Sequence, residues 1–181
     1  MPNLKFTLKA WPVVAGATIG LCFLTQAAAR LFGVELPDQE NIEVVRQWLA
    51  HAFDSPRSFG VCAFLLFQVL ALLPAAEEAL FRWLLYRLPL GAAARRAGGA
   101  PTPPAGFAHP AGLVAAVLSS ALFSAAHYIS QPFPDAAFVA LFFFGLAQCW
   151  LYARTGRLWC PVLNHFLFNL TNLLLLFVVP A

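Results

Sequence analysis

Apolar stretches separated by short polar or proline- and glycine-rich breaks run the length of the chain: Ala10 to Phe32, Ser58 to Leu90, Ala111 to Ile129, Ala136 to Ala153 and Leu158 to Val179. A bilayer core about 30 Å thick is crossed by about 20 helical residues. Each stretch therefore predicts a membrane-spanning helix. The second is too long for one perpendicular crossing and predicts either a kink at Pro74 or a strong tilt. Lys5 and Lys9 before the first stretch, with Ala27, Ala28 and Ala29 near its end, also resemble a secretory signal. Its apolar core exceeds the usual length of about 7–15 residues, which favours a retained span. Gly16 and Gly20 predict close helix packing within the chain, with dimerisation as the alternative.

The breaks carry their own signals. Glu35 to Arg57 is the most polar segment: Pro37-Asp38 offers a helix start, Glu40 and Glu43 fall in the first turn, and Ile42, Val45, Trp48, Leu49 and Phe53 recur at helical spacing. This predicts a short amphipathic helix on the membrane surface, with anchoring favoured over a lid role and His51 solvated. Leu90 to Pro110 is rich in glycine and proline and predicts a loop containing an idle His109. Ser119, Ser120, Ser124, Ala125 and Ala126 permit close helix approach in the third span. Trp159 and Pro161 open the fifth as interfacial aromatic and early-turn proline.

Composition agrees with a membrane protein: of 181 residues, 61% are hydrophobic and 10% charged, with mean hydropathy +0.74. The formal charge of +3 is not a nucleic-acid signature, because the basic residues cluster at helix ends and short connections. Lys5 and Lys9, then Arg87, Arg95 and Arg96, then Arg154 and Arg157 mark alternate connections. Residues 30 to 57 hold three Arg against five acids, and residues 130 to 135 hold only Asp135. The positive-inside rule then predicts five spans, a cytoplasmic N-terminus and a C-terminus outside. Cys22, Cys62, Cys149 and Cys160 form no CxxC pair and read as small core residues. The fold class predicted is all-α: a single membrane domain over residues 1–181, a polytopic bundle of about five transmembrane helices plus one short amphipathic surface helix.

Against this apolar background, charges inside a span are costly and mark function. Phe59 to Ala76 carry no charge, and then Glu77, Glu78 and Arg82 follow. Residues four apart share a helix face, so Glu78 and Arg82 form an ion pair while Glu77 points away with Phe81. Phe123 and His127 are four apart on the third span, and His165 and Asn169 are four apart on the fifth. A desolvated carboxylate with a neighbouring imidazole holds and deprotonates a water. An imidazole NH and an amide NH₂ on adjacent turns donate to an oxyanion. Together these groups match amide hydrolysis within the membrane. Straight perpendicular helices leave them at different depths, so convergence on a water-accessible cavity requires tilt or the Pro74 kink.

These three pairs resemble the ordered motifs EExxxR, FxxxH and HxxxN of the CPBP family of intramembrane proteases. That family includes CAAX-processing endopeptidases and the Abi bacteriocin-processing or immunity proteins. The resemblance covers about residues 60–175, the expected protease core. It implies that Glu77 and His127 activate water, that His165 and Asn169 form the oxyanion hole, and that Glu78, Arg82 and Phe123 support them. It also implies a glutamic-type protease with no cofactor. Zinc held by Glu77, His127 and His165 is the alternative, although the chain has no HExxH. The expected partners are membrane lipid and a membrane-anchored protein or peptide substrate, without nucleic acid, and the expected location is a prokaryotic inner membrane. Two departures stand out: Trp83 replaces the small glycine that often follows the arginine, which is expected to narrow the cavity, and only one span precedes the motif core. Two other functions fit the same residues, a non-catalytic scaffold or immunity protein and a proton-coupled transporter. The transporter lacks an inverted repeat.

Overall fold

The computed structural model describes residues 2–36, 40–96, 107, 109–129 and 136–178. They form six helices: α1 (Pro2–Leu31), α2 (Glu40–Ala50), α3 (Pro56–Arg96), α4 (Pro110–Ala126), α5 (Ala137–Thr155) and α6 (Trp159–Val178). All but α2 are long and apolar enough to cross a membrane. The chain is thus an all-α polytopic bundle with five candidate spans and one short polar helix. The first span begins eight residues earlier than its apolar run, because Pro2–Lys9 extend the same helix. Residues 91–96, expected in a loop, are instead helical and finish α3. The helix start expected at Pro37-Asp38 and the acidic Asp135 lie outside the described residues, as does most of the 90–110 connection.

Lipid is the natural partner of the outer surface. Val13, Phe23, Leu24, Phe59, Val61, Phe64, Leu118, Leu122 and Phe177 are all more than half exposed, a surface that water would not tolerate over such an area. Inside, α4 and α5 pack face to face, α1 lies against α5 and α6, and the second half of α3 lies against α4. A ring cluster of Phe81, Phe123, Phe144 and Phe168 forms the centre. Trp11 on α1 donates to the Thr171 hydroxyl on α6 at 3.2 Å.

Gly16 and Gly20 are not at a close contact, since a Cβ at either meets nothing within 4 Å. The close approach is between α4 and α5, where a Cβ on Gly145 falls 2.9 Å from Ser120 Cβ and 3.1 Å from its Cα. Backbone, not a flexible tip, must then give way. Gly145→Ala is therefore expected to destabilise the bundle by roughly 1–3 kcal/mol, read as a lowered unfolding midpoint in detergent. Gly156, with φ +64°, closes α5 by donating its N–H to the Tyr152 carbonyl at 2.8 Å, and the chain turns directly into α6. His109, expected idle, caps α4: its Nδ1 accepts the Ala111 N–H at 3.3 Å. His51 is exposed as expected and pairs with Asp54 at 2.9 Å. Cys62, Cys149 and Cys160 are buried.

The 41 residues of α3 would span about 60 Å at the α-helical rise, and the helix departs from α geometry twice. Gln68–Leu72 and Ala79–Arg87 are wound as wider π-helix, the form that tends to occur at functional sites. The first ends just before Pro74. The Leu73 N–H bonds back five residues to the Gln68 carbonyl, so the donor due to the Val69 carbonyl is residue 74, a proline without an N–H. The orphaned Val69 carbonyl accepts the Asn169 side-chain N–H of α6 at 3.1 Å. In the second π segment the Phe81 carbonyl accepts the Ser119 hydroxyl of α4 at 2.7 Å. The proline expected to kink the helix thus docks it onto α6 through a freed carbonyl.

Candidate active site

The two π segments of α3 flank Glu77 and Glu78, so both carboxylates enter the bundle from a helix whose register is set on either side by contacts with other helices. Glu78 and Arg82, one turn apart, are completely buried, with Glu78 Oε2 at 3.0 Å from Arg82 Nε. The approach is an ion pair without a well-aligned hydrogen bond, since neither atom has a hydrogen-bonding partner. The guanidinium lies over the Phe123 ring with Cζ 4.6 Å from the centroid, a contact worth about 2 kcal/mol when desolvated.

The other oxygen of Glu78 reaches α6. Its Oε1 is 3.0 Å from His165 Nδ1. A carboxylate held beside Arg82 only accepts, so Nδ1 carries the proton and donates it. This leaves His165 Nε2 facing Glu77, 3.6 Å from Oε2. Phe144 and Phe123 fix the imidazole edge-on, with centroids at 5.0 and 6.0 Å. The chain Arg82, Glu78, His165, Glu77 therefore runs from the buried interior to a partly exposed group, the Glu77 side chain keeping 29% of its exposure.

His127 ends α4 where the helix tightens into a single 3₁₀ turn, His127–Ile129. Its Nδ1 lies 2.9 Å from the Phe123 carbonyl. A carbonyl only accepts, so this nitrogen is the donor and Nε2 of the neutral ring keeps its lone pair. Its ring meets Phe123 at 4.7 Å, which makes Phe123 the common wall of Arg82, His127 and His165. Glu77, His127 and Asn169 are all half-buried. No hydrogen bond or ion pair among the described residues joins Glu77 to His127, and Asn169 spends one of its two amide N–H groups on Val69. The structure thus brings Glu77, Glu78, Arg82, Phe123 and His165 into one contact network, sets His127 at its edge and places Asn169 one turn along α6 from His165.

Two features were not singled out from sequence. The Glu78–His165 bond is one, since helical spacing speaks only of Arg82. Gln148 and Asn164 are another, fully buried and joined at 3.1 Å on α5 and α6. Gln148 is a lone amide in an apolar run, which was a usable signal. Trp83, expected from sequence to narrow the cavity, is instead 45% exposed and turned outward, so it does not narrow the site. A zinc ion would need Glu77, His127 and His165 gathered as ligands. Among the described residues no group of three His, Cys, Asp or Glu side chains is so arranged.

A family model described as Type II CAAX prenyl endopeptidase Rce1-like matches residues 58–171, which include all three motif pairs. No curated protein and no solved structure matches the chain. With the model covering well over half of its length, the chain belongs to the Rce1-like family of type II CAAX prenyl endopeptidases.

Proposed function

We propose that the protein hydrolyses a peptide bond of a membrane-anchored protein or peptide, with Glu77 activating the attacking water. The observation that carries this reading is the position of Glu77: a partly exposed carboxylate 3.6 Å from the Nε2 of an imidazole whose opposite nitrogen is tied to a buried carboxylate.

In the proposed cycle Glu77 takes a proton from water as oxygen attacks the scissile carbonyl, and returns that proton to the leaving amine. His127 Nε2, free to accept, holds the second hydrogen of the same water. His165 Nε2, when protonated, and the remaining Asn169 N–H donate to the oxyanion. Glu78 and Arg82 keep His165 in one tautomer and orientation. The basic connections suggest an N-terminus on the cytoplasmic side.

The direct test is cleavage of a lipid-anchored peptide by the purified chain in proteoliposomes, with the product masses locating the bond. An intact substrate under conditions where the bundle stays folded would overturn the reading. On the glutamic reading, 1,10-phenanthroline or EDTA is expected to leave the initial cleavage rate unchanged. Loss of activity restored by added zinc would replace the glutamic mechanism with a metal-based one.

A further inference from the structure

A second group of buried polar atoms is not used by the proposed reaction. Arg82 Nη1 and Nη2, Tyr86 Oη, Ser120 Oγ, Gln148 Oε1 and Asn164 Nδ2 are all buried and without a hydrogen-bonding partner. They come from α3, α4, α5 and α6. Tyr86 lies one turn past Arg82, and Gln148 is bonded to Asn164. The Cys149 thiol, next to Gln148, joins them, lying beside the Ser119 and Ser120 hydroxyls and close to Arg82, Glu78 and Tyr86.

We propose that these atoms line an internal water site, a hydrated pocket inside the bundle separate from the water reached by Glu77. Buried polar groups in proteins are satisfied almost without exception, by protein or by ordered water. An internal water needs two to four polar partners, and this cluster offers both donors and acceptors from four helices. An anion is a poorer occupant, because Glu78 already balances Arg82 at 3.0 Å. An apolar guest is excluded by the same atoms. The waters solvate the Nη face of Arg82, which lets the guanidinium keep its charge at bilayer depth and hold Glu78 toward His165.

Radiolytic footprinting tests this on the full chain in lipid nanodiscs. X-ray pulses split water in place, so a side chain touching ordered water is oxidised even where bulk solvent is excluded. Rates are normalised to the same residues in the detergent-unfolded chain. Tyr86 and Cys149, each fully buried, are expected to oxidise severalfold faster than Leu151, which is as deeply buried. Equal protection of all three would overturn the proposal. The double variant Gln148→Leu with Asn164→Leu replaces two walls with apolar groups of similar size, and is expected to lower the Tyr86 and Cys149 rates severalfold while the surface Trp48 rate stays as it was. Unchanged rates in a folded double variant would likewise count against it. If that variant does not fold, the comparison within the native chain decides the matter alone. The readout does not depend on peptidase activity, so it stands or falls separately from the proposed reaction.

Discussion

Glu77→Gln is expected to lower the cleavage rate by about 10²–10⁴, the usual worth of a positioned general base, while leaving the fold and its unfolding midpoint nearly unchanged. The asymmetry between the two adjacent glutamates is the reason. Glu78 is completely buried between Arg82 and His165, whereas Glu77 keeps 29% of its side-chain exposure and, among the described residues, makes one long ion pair, 3.6 Å to His165. An amide of the same shape at position 77 keeps the packing but cannot take a proton from water. Substrate binding depends little on that proton, so KM is expected to hold while kcat falls. A scaffold or immunity role would leave the cellular effect of the protein intact in Glu77→Gln. Full cleavage by this variant would reassign the base to another group, with His127 the first to examine.

The motif residues were legible in sequence because each rests on local geometry. Residues four apart on a helix face one another, and Glu78 and Arg82 do so at 3.0 Å. Five apolar runs became five candidate spans because a membrane imposes both their length and their composition. The joining of Glu78 to His165 was not legible, since it spans 87 positions and depends on how α6 lies across α3. Nor was the π winding, whose effect depends on where one missing N–H falls. Pro74 announces that a carbonyl will be freed, but α register would free that of Leu70, and the observed π register frees that of Val69. Only the latter meets Asn169.

Asn169 shows how one residue can carry two readings. Sequence spacing gave it to an oxyanion hole, and the structure gives one of its N–H groups to the docking of α3 on α6. An amide has two such hydrogens, so the roles are compatible and are separable by substitution. Loss of the Val69 bond acts on stability, and loss of the second N–H acts on kcat. Gly16 and Gly20 teach the opposite lesson. The small-xxx-small spacing was present without a partner backbone, and the contact that required a glycine formed at Gly145, where no such repeat drew attention.

The largest expected loss of stability belongs to Arg82→Leu. Arg82 is completely buried, carries the charge that balances Glu78 and covers the Phe123 ring. Leucine leaves Glu78 as an uncompensated carboxylate beside the imidazole, and breaking a buried pair from one side costs about 3–5 kcal/mol. That is a large share of the roughly 5–15 kcal/mol that keeps a typical domain folded. The partner change alone is expected to be milder: Glu78→Gln retains an acceptor for His165 Nδ1 but leaves Arg82 unbalanced. Removing both charges, Arg82→Leu with Glu78→Gln, is expected to recover much of the loss, because the cost lies in the lone charge rather than in the missing attraction. A double-mutant cycle on unfolding in detergent measures this coupling. Its activity arm carries the mechanistic part of the claim: the stable double variant should remain slow, since the glutamine amide can present either end to His165 and no longer fixes the tautomer that turns Nε2 toward Glu77. Rapid cleavage by the double variant would show that His165 needs no charged anchor, and would limit the buried ion pair to holding α3 in the bundle.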